Sequence, residues 1–236
     1  MGNKASYEVL REKALHLDEI LFQEYGGPFH FFSDKDPLSE LVASMLSHRT
    51  KNSVSGQAYR NLRQALPTWE EVREAPVEAI QHPISIVTYP EVKAPRIKAA
   101  LQLITKLNNG DLTLDFLADW PVETSRAWLE KIPGVGKKTS AATLNFSRLR
   151  LPALVVDSHH HRVAQRLGLV PPKASLDATA RIVESYLPSD WDGQRVYDSH
   201  QGFMRHGKQV CHWDRPECER CVVRTYCDYY ADKKLD

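Results

Sequence analysis

Eight residues, Ile132-Pro-Gly-Val-Gly-Lys-Lys-Thr139, restrict the fold of this chain more than any other stretch. They separate two apolar-periodic segments with a turn that only small or φ-restricted residues make. Upstream, Trp128, Leu129 and Ile132 fall at i, i+1 and i+4. Downstream, Ala141, Ala142, Leu144 and Phe146 resume a helix-compatible pattern. Pro133 has no N–H and blocks continuation of the first helix, while Gly134 and Gly136 allow positive φ and close backbone approach. The expected structure is a helix, a tight hairpin and a second helix whose free N–H groups point outward. Such a terminus binds anions, and phosphate is the expected one.

The rest of the chain reads as helical too. Tyr7, Leu10, Ala14, Leu17 and Leu21 repeat at three and four, ahead of Gly26-Gly27. Asp36 and Pro37 form a start signal for a helix through Leu38, Leu41, Val42, Met45 and Leu46. Val54, Ala58, Leu62 and Leu66 mark a third helix, ended by Pro67. Further helices are expected at about 69–81 with a break at Pro76, then at about 94–108, 113–119, 121–148, 158–167, 175–187 and 193–206. Only Ile84–Thr88 reads as extended, and it is too short to build a sheet. The fold class is all-α.

The chain has 236 residues, 42% of them hydrophobic and 26% charged, which suits a folded core and excludes a disordered chain. No apolar run nears membrane-spanning length, and the N-terminus lacks the apolar core of a secretory signal, so a cytoplasmic, nucleoid-associated setting is expected. The overall formal charge is only +1. Between Lys137 and Arg166, however, six Lys and Arg face a single acid, Asp157, for a local net charge of +5. A charge run is ordinarily a solvated face; directly after a phosphate-ready hairpin it points to a nucleic-acid surface.

All four cysteines lie near the end, as Cys211-x6-Cys218-x2-Cys221-x5-Cys227. Four thiols crowded into one segment of an otherwise cysteine-free chain argue for metal ligation over disulfides. Both tetrahedral zinc and an iron–sulfur cluster take four thiolates. Structural zinc ordinarily draws on two close pairs, whereas one close pair with wider arms suits the four corners of a cubane better.

Pro133-Gly-Val-Gly-Lys-Lys-Thr139, Val155-Val-Asp-Ser-His159 with Arg162-Val163, His206-Gly207 and the cysteine spacing together resemble endonuclease III, a family of helix–hairpin–helix DNA glycosylases with a [4Fe-4S] cluster. The resemblance runs from about Pro37 to Cys227, and the cysteine spacing is its most specific part. It implies a six-helix domain over 38–150, packed on a smaller helical cluster domain made from 1–37 and 151–236, with DNA in the cleft. It implies a [4Fe-4S] cluster on Cys211, Cys218, Cys221 and Cys227. The activity implied is base-excision repair by a DNA N-glycosylase with abasic-site lyase activity, removing oxidised pyrimidines through a lysine Schiff base. The partner is double-stranded DNA with a damaged base or abasic site, met by a monomer.

Lys138 stands at the nucleophile's position and Asp157 at that of the essential carboxylate. The helix end and cationic Lys137 both disfavour an ammonium at Lys138. Asp157 also suits an N-cap, which keeps its carboxylate ionised. DNA contacts are expected from Gly134, Val135, Gly136, Lys137 and Thr139 of the hairpin, and from Arg49 and His159. Arg49 occupies a place where the family ordinarily carries a glutamine, and near Tyr89 the run Val87-Thr88-Tyr89-Pro90-Glu91 replaces the family's leucine wedge. Two alternatives stay open. One is a DNA-binding or redox-sensing iron–sulfur protein with little chemistry. The other is a mismatch or adenine glycosylase, against which Lys138 and the mere nine residues after Cys227 both count.

Overall fold

The computed structural model describes the backbone of residues 2–233 and the side chains of residues 6–232; among these there are helices and turns but no strand. In chain order the helices are α1 (Gly2–Glu24), α2 (Pro37–Ser47), α3 (Asn52–Ala65), α4 (Trp69–Glu74), α5 (Val77–Gln81) and α6 (Pro90–Leu107). They continue with α7 (Val122–Leu129), α8 (Lys137–Phe146), α9 (Ser158–Arg166), α10 (Leu176–Tyr186), α11 (Gly193–Gln209) and α12 (Asp228–Lys233). Asp115–Asp119 is a 3₁₀ turn, tighter than the helix expected at 113–119. Ile84–Thr88 is not extended. It turns through Ser85 N–H to His82 O and Val87 N–H to Ile84 O, which buries Ile84 and Val87.

Two compact units make up the chain: residues 32–151, and the residues before 32 together with those after 151. They are of similar length. The break comes six residues before the boundary expected at 37, because residues 33–36 are tied to the first unit. Ser33 Oγ donates to Glu40 Oε2 at 2.8 Å, and Arg150 donates to the Ser33 carbonyl at 2.7 Å.

In the unit spanning 32–151, Asp36 caps α2 by accepting the Ser39 amide at 2.9 Å, with Pro37 inside the first turn. Nine of the eleven residues of α2 are buried, so it is a central helix rather than an amphipathic surface one. It packs against α3, α6 and α8. Each fully buried leucine here, such as Leu41 or Leu46, contributes roughly 1.5–3 kcal/mol. Every residue of α8 from Thr139 to Phe146 is also buried, with Ala141 and Ala142 giving the slim surface that close packing needs. Pro76 divides the stretch 69–81 into α4 and α5, so seven α-helical segments build this unit among the described residues.

The other unit gathers α1, α9, α10 and α11 around Leu17, Leu21, Val163, Leu167, Tyr186 and Phe203. At Gly207, α11 passes so close to α9 that an added Cβ would lie 2.8 Å from His159 Cβ and 3.1 Å from its carbonyl oxygen. Glycine is required there by contact, not by φ. Behind it, His160 is fully buried and stacks on Phe203 at 4.4 Å. Neither ring nitrogen makes a well-formed hydrogen bond, since the nearby Val155 carbonyl is taken by His200 at 2.8 Å.

Burial, with the neighbouring His200, pulls His160 from 6.5 down to about 3. The folded chain therefore holds it neutral while the unfolded chain protonates it, and stability should fall as pH drops from 6.5 towards 3. His160→Phe keeps the ring stack and removes two unsatisfied nitrogens. It should raise stability at pH 5 by roughly 1–2 kcal/mol in denaturant titrations and flatten that pH dependence. Lower stability at both pH 5 and pH 7.5 would count against this account.

Candidate active site and cysteine centre

The hairpin forms without Pro133 ending α7, which stops at Leu129. Lys131 and Ile132 then donate to Trp128 and Leu129 in a tightening turn, and Pro133 follows. Gly134 has φ +87°, which a residue with a Cβ rarely adopts, so the expected positive φ is found there. Gly136 differs from expectation: at φ −105°, ψ −175° it is extended, and it serves as the N-cap of α8. The amides of Gly134, Gly136, Lys137 and Lys138 have no backbone acceptor among the described residues. A phosphate oxygen can take them.

Lys138 is half-exposed and makes no hydrogen bond or ion pair with any described residue. Lys137 is not the uncompensated neighbour expected from sequence. Its ammonium lies 3.6 Å from Glu130 Oε2, while Glu130 Oε1 accepts from Ser140 Oγ at 2.9 Å. Glu130 thus braces both sides of the hairpin. Val135 is buried and offers only its backbone. Thr139 turns inward: it is buried, and its hydroxyl lies 2.9 Å from His48 Nε2. Burial first, then Lys138, Lys93 and Arg96, holds His48 down to about 4, so a neutral imidazole neighbours the lysine at pH 7. Arg96 is exposed beside Gly134, a cationic neighbour of the hairpin that spacing gave no means of finding.

The loop after α2 is held from below. Lys93 is buried and donates to the carbonyls of Leu46 and His48 at 2.7 and 2.8 Å, and to Thr50 Oγ1 at 2.9 Å. These are carbonyls that the end of α2 leaves open. Arg49 and Tyr89, the two departures noted in the sequence, are both exposed and both have positive φ.

The basic run 137–166 proves largely structural. Arg148 forms a forked pair with Asp115 at 2.8 Å, and Arg150 binds the carbonyls of Phe146 and Ser33. Arg162 donates to the Cys211 and Gly207 carbonyls, and Arg166 to those of His212 and Trp213 and to Cys211 Sγ. Those last two arginines fasten the cysteine loop to α9, a role the sequence analysis did not give them.

Asp157 lies in the other unit from Lys138. Its Oδ1 accepts the amides of His159 and His160 at 2.9 and 2.8 Å, making it the N-cap of α9. Burial would raise its pKa, but His200, the capping N–H of His160 and the nearby imidazoles outweigh that and hold it below the usual carboxylate range. The other oxygen takes no hydrogen bond from described residues. His159 is half-buried, with Nδ1 3.2 Å from the Arg162 guanidinium.

The four cysteines carry no disulfide and line one small apolar cavity with Val163, Leu167, Val210 and Val223. Among the described residues, no three His, Cys, Asp or Glu are placed to hold a single metal ion, so the thiols ring a space rather than meet at a point. Burial pushes Cys221 up to about 11, helped by the other three thiols. Thiols so placed ionise only with a positive group among them. His206 is buried, with Nε2 3.5 Å from Cys221 Sγ and Nδ1 3.0 Å from the Tyr25 hydroxyl, and so supports the loop.

The family described as HhH-GPD superfamily base excision DNA repair protein matches residues 42–189. Endonuclease III of Rickettsia conorii is 30% identical over 216 residues, covering 92% of this chain and 95% of that one. The chain belongs to the endonuclease III family. It is a base excision repair DNA glycosylase. Escherichia coli endonuclease III is 26% identical over 219 residues, covering 93% and 96% of the two chains. The fold matches that of a trapped endonuclease III–DNA covalent intermediate with TM-score 0.79 at 20% identity, over 95% of this chain and 98% of that one. No helix among the described residues is long and apolar enough to cross a membrane.

In this chain, Thr139→Val separates an inward role from a DNA contact. It leaves the half-buried His48 ring unpartnered and should cost roughly 1–3 kcal/mol in urea unfolding. Affinity for duplex DNA at one fixed salt concentration should be unchanged; a clear loss of affinity in a variant that still folds would place Thr139 on phosphate.

Proposed function

We propose that this protein is a bifunctional enzyme that excises oxidised pyrimidines from duplex DNA and then cleaves the strand at the resulting abasic site, acting as a monomer. The observation that carries the reading is the placement of Lys138. It is the second residue of a helix otherwise locked in the core, beside amides that have no acceptor of their own. Those amides suit a DNA phosphate, and a phosphate held there fixes how far the next sugar lies from the amine.

The chemistry follows from a free amine so held. Its lone pair attacks C1′ as the N-glycosidic bond breaks, and the damaged base leaves with the bonding electrons. The sugar ring opens to a C1′ imine, the Schiff base. Loss of a C2′ proton then expels the 3′ phosphate, and hydrolysis of the imine returns the lysine. Asp157, held ionised by its cap position, is suited to stabilise positive charge developing on a sugar or to accept a proton. The nucleotide must leave the stack first, since C1′ is not reachable inside a duplex.

A [4Fe-4S] cluster fits the cysteine cavity better than zinc, because four thiols around an apolar space match the separated corners of a cubane. Cys211, Cys218, Cys221 and Cys227 would hold it, and it would supply four cross-links that order the loop. His206, Arg162 and Arg166 orient that loop from outside.

Borohydride reduction on DNA carrying an abasic site should trap wild type covalently and leave Lys138→Ala free; equal trapping would remove the nucleophile assignment. Anaerobically purified protein should be brown with broad visible absorption, and Cys221→Ser should lose it. Colourless wild type with stoichiometric zinc would overturn the cluster.

A further inference from the structure

We propose that Tyr25 and His206 form a hydrogen-bond relay that holds an imidazole N–H against the Cys221 sulfur and thereby raises the reduction potential of the bound cluster. The proposal rests on the cluster reading above and concerns the side chains around the thiolates rather than the thiolates themselves.

All three residues belong to one unit and are joined in series. Tyr25 lies in the turn after α1 and donates its amide to the Leu21 carbonyl at 3.1 Å. Its hydroxyl is 3.0 Å from His206 Nδ1, and His206 Nε2 is 3.5 Å from Cys221 Sγ. His206 is only 1% exposed, so water does not stand in for either partner. Its backbone is fixed as well. His206 lies in the last turn of α11, and its carbonyl accepts the amides of Val210 and Cys211 at 3.0 and 2.9 Å. The Tyr25 ring meets the imidazole edge-on, with centroids 6.1 Å apart.

The tautomer follows from the two neighbours. A thiolate ligand has no proton to give, so only an Nε2–H suits the side that faces Cys221. A neutral imidazole then carries its lone pair on Nδ1, and the Tyr25 hydroxyl donates to it. Histidine alone can turn either kind of nitrogen towards sulfur; the tyrosine, 181 residues earlier in the chain, holds the productive one. An electron added to an iron–sulfur cluster puts more negative charge on its sulfur ligands. A donor N–H at one of them therefore stabilises the reduced form more than the oxidised form. Cys221 also accepts the Val223 amide, a bond that no side-chain replacement removes. Arg166 Nη1 makes a comparable contact with Cys211 Sγ at 3.3 Å, but the same guanidinium holds loop carbonyls and so cannot separate tuning from folding.

The test is voltammetry of the one-electron cluster couple in anaerobically purified full-length protein, after iron content and visible absorption have been measured. His206→Leu should disfavour the reduced form about tenfold, a shift of about 59 mV to more negative potential for one electron. Tyr25→Phe keeps the ring contact and loses only the hydroxyl; its shift should have the same sign and be smaller. The double variant should match His206→Leu alone, because the tyrosine acts through the imidazole. An unmoved potential in iron-loaded Tyr25→Phe would overturn the proposal. Equal shifts from Tyr25→Phe with His206 present or replaced would overturn it too. If His206→Leu fails to load iron, Tyr25→Phe decides alone. Colourless wild type holding zinc removes the cluster reading and the relay together, whereas brown protein with unmoved potentials removes the relay alone.

Discussion

Helix α8 is buried on every side from Thr139 onward, and the placement of Lys138 at its open end depends on that burial. A helix so enclosed cannot rotate or slide without opening the core of its unit. Only Gly136, Lys137 and Lys138 remain at the surface end, where the amides lack acceptors. Polar contacts refine this position rather than create it. The Lys137–Glu130 pair is partly exposed and contributes at most about 1 kcal/mol. The bond from the fully buried Ser140 to Glu130 and the contact of Thr139 with His48 set the angle at which the helix begins.

Helices and hairpin were legible because their signals are local. Asp36-Pro37 marked a start, Pro76 a break and Gly134 a left-handed turn, and each is a property of one residue's own backbone. The Ile84–Thr88 stretch misled because a short apolar run reads alike as a strand or as a buried turn. Gly136 misled for a related reason. Two glycines in a hairpin invite two positive φ values, but the second is extended as an N-cap. Nothing in the spacing could have shown His48 or Lys93, since their partners lie 91 and 43–47 residues away.

Charge was the least transferable signal. A local excess of five positive charges suggested a nucleic-acid face, yet most of those side chains are committed inside the protein. Arginine's planar fork suits backbone carbonyls as well as phosphates. Around the cysteine loop, Arg162 and Arg166 together take four carbonyls, in a segment with little regular structure to satisfy them. Sequence counts the charges but not their acceptors.

Lys93 explains why the loop after α2 has its shape. A buried ammonium is costly, and burial pulls its pKa from 10.5 to about 8. A methionine would fill the same space without that cost. What the ammonium adds is three hydrogen bonds that fix His48 and Thr50, and through them the left-handed Arg49 between. Backbone amides at the hairpin grip any phosphate alike and carry no information about bases. What the loop adds are side chains on a fixed backbone that stay uncovered, and Arg49 and Tyr89 meet both conditions. A costly buried charge beneath a strained, exposed arginine is the arrangement expected where stability has been exchanged for a fixed loop geometry.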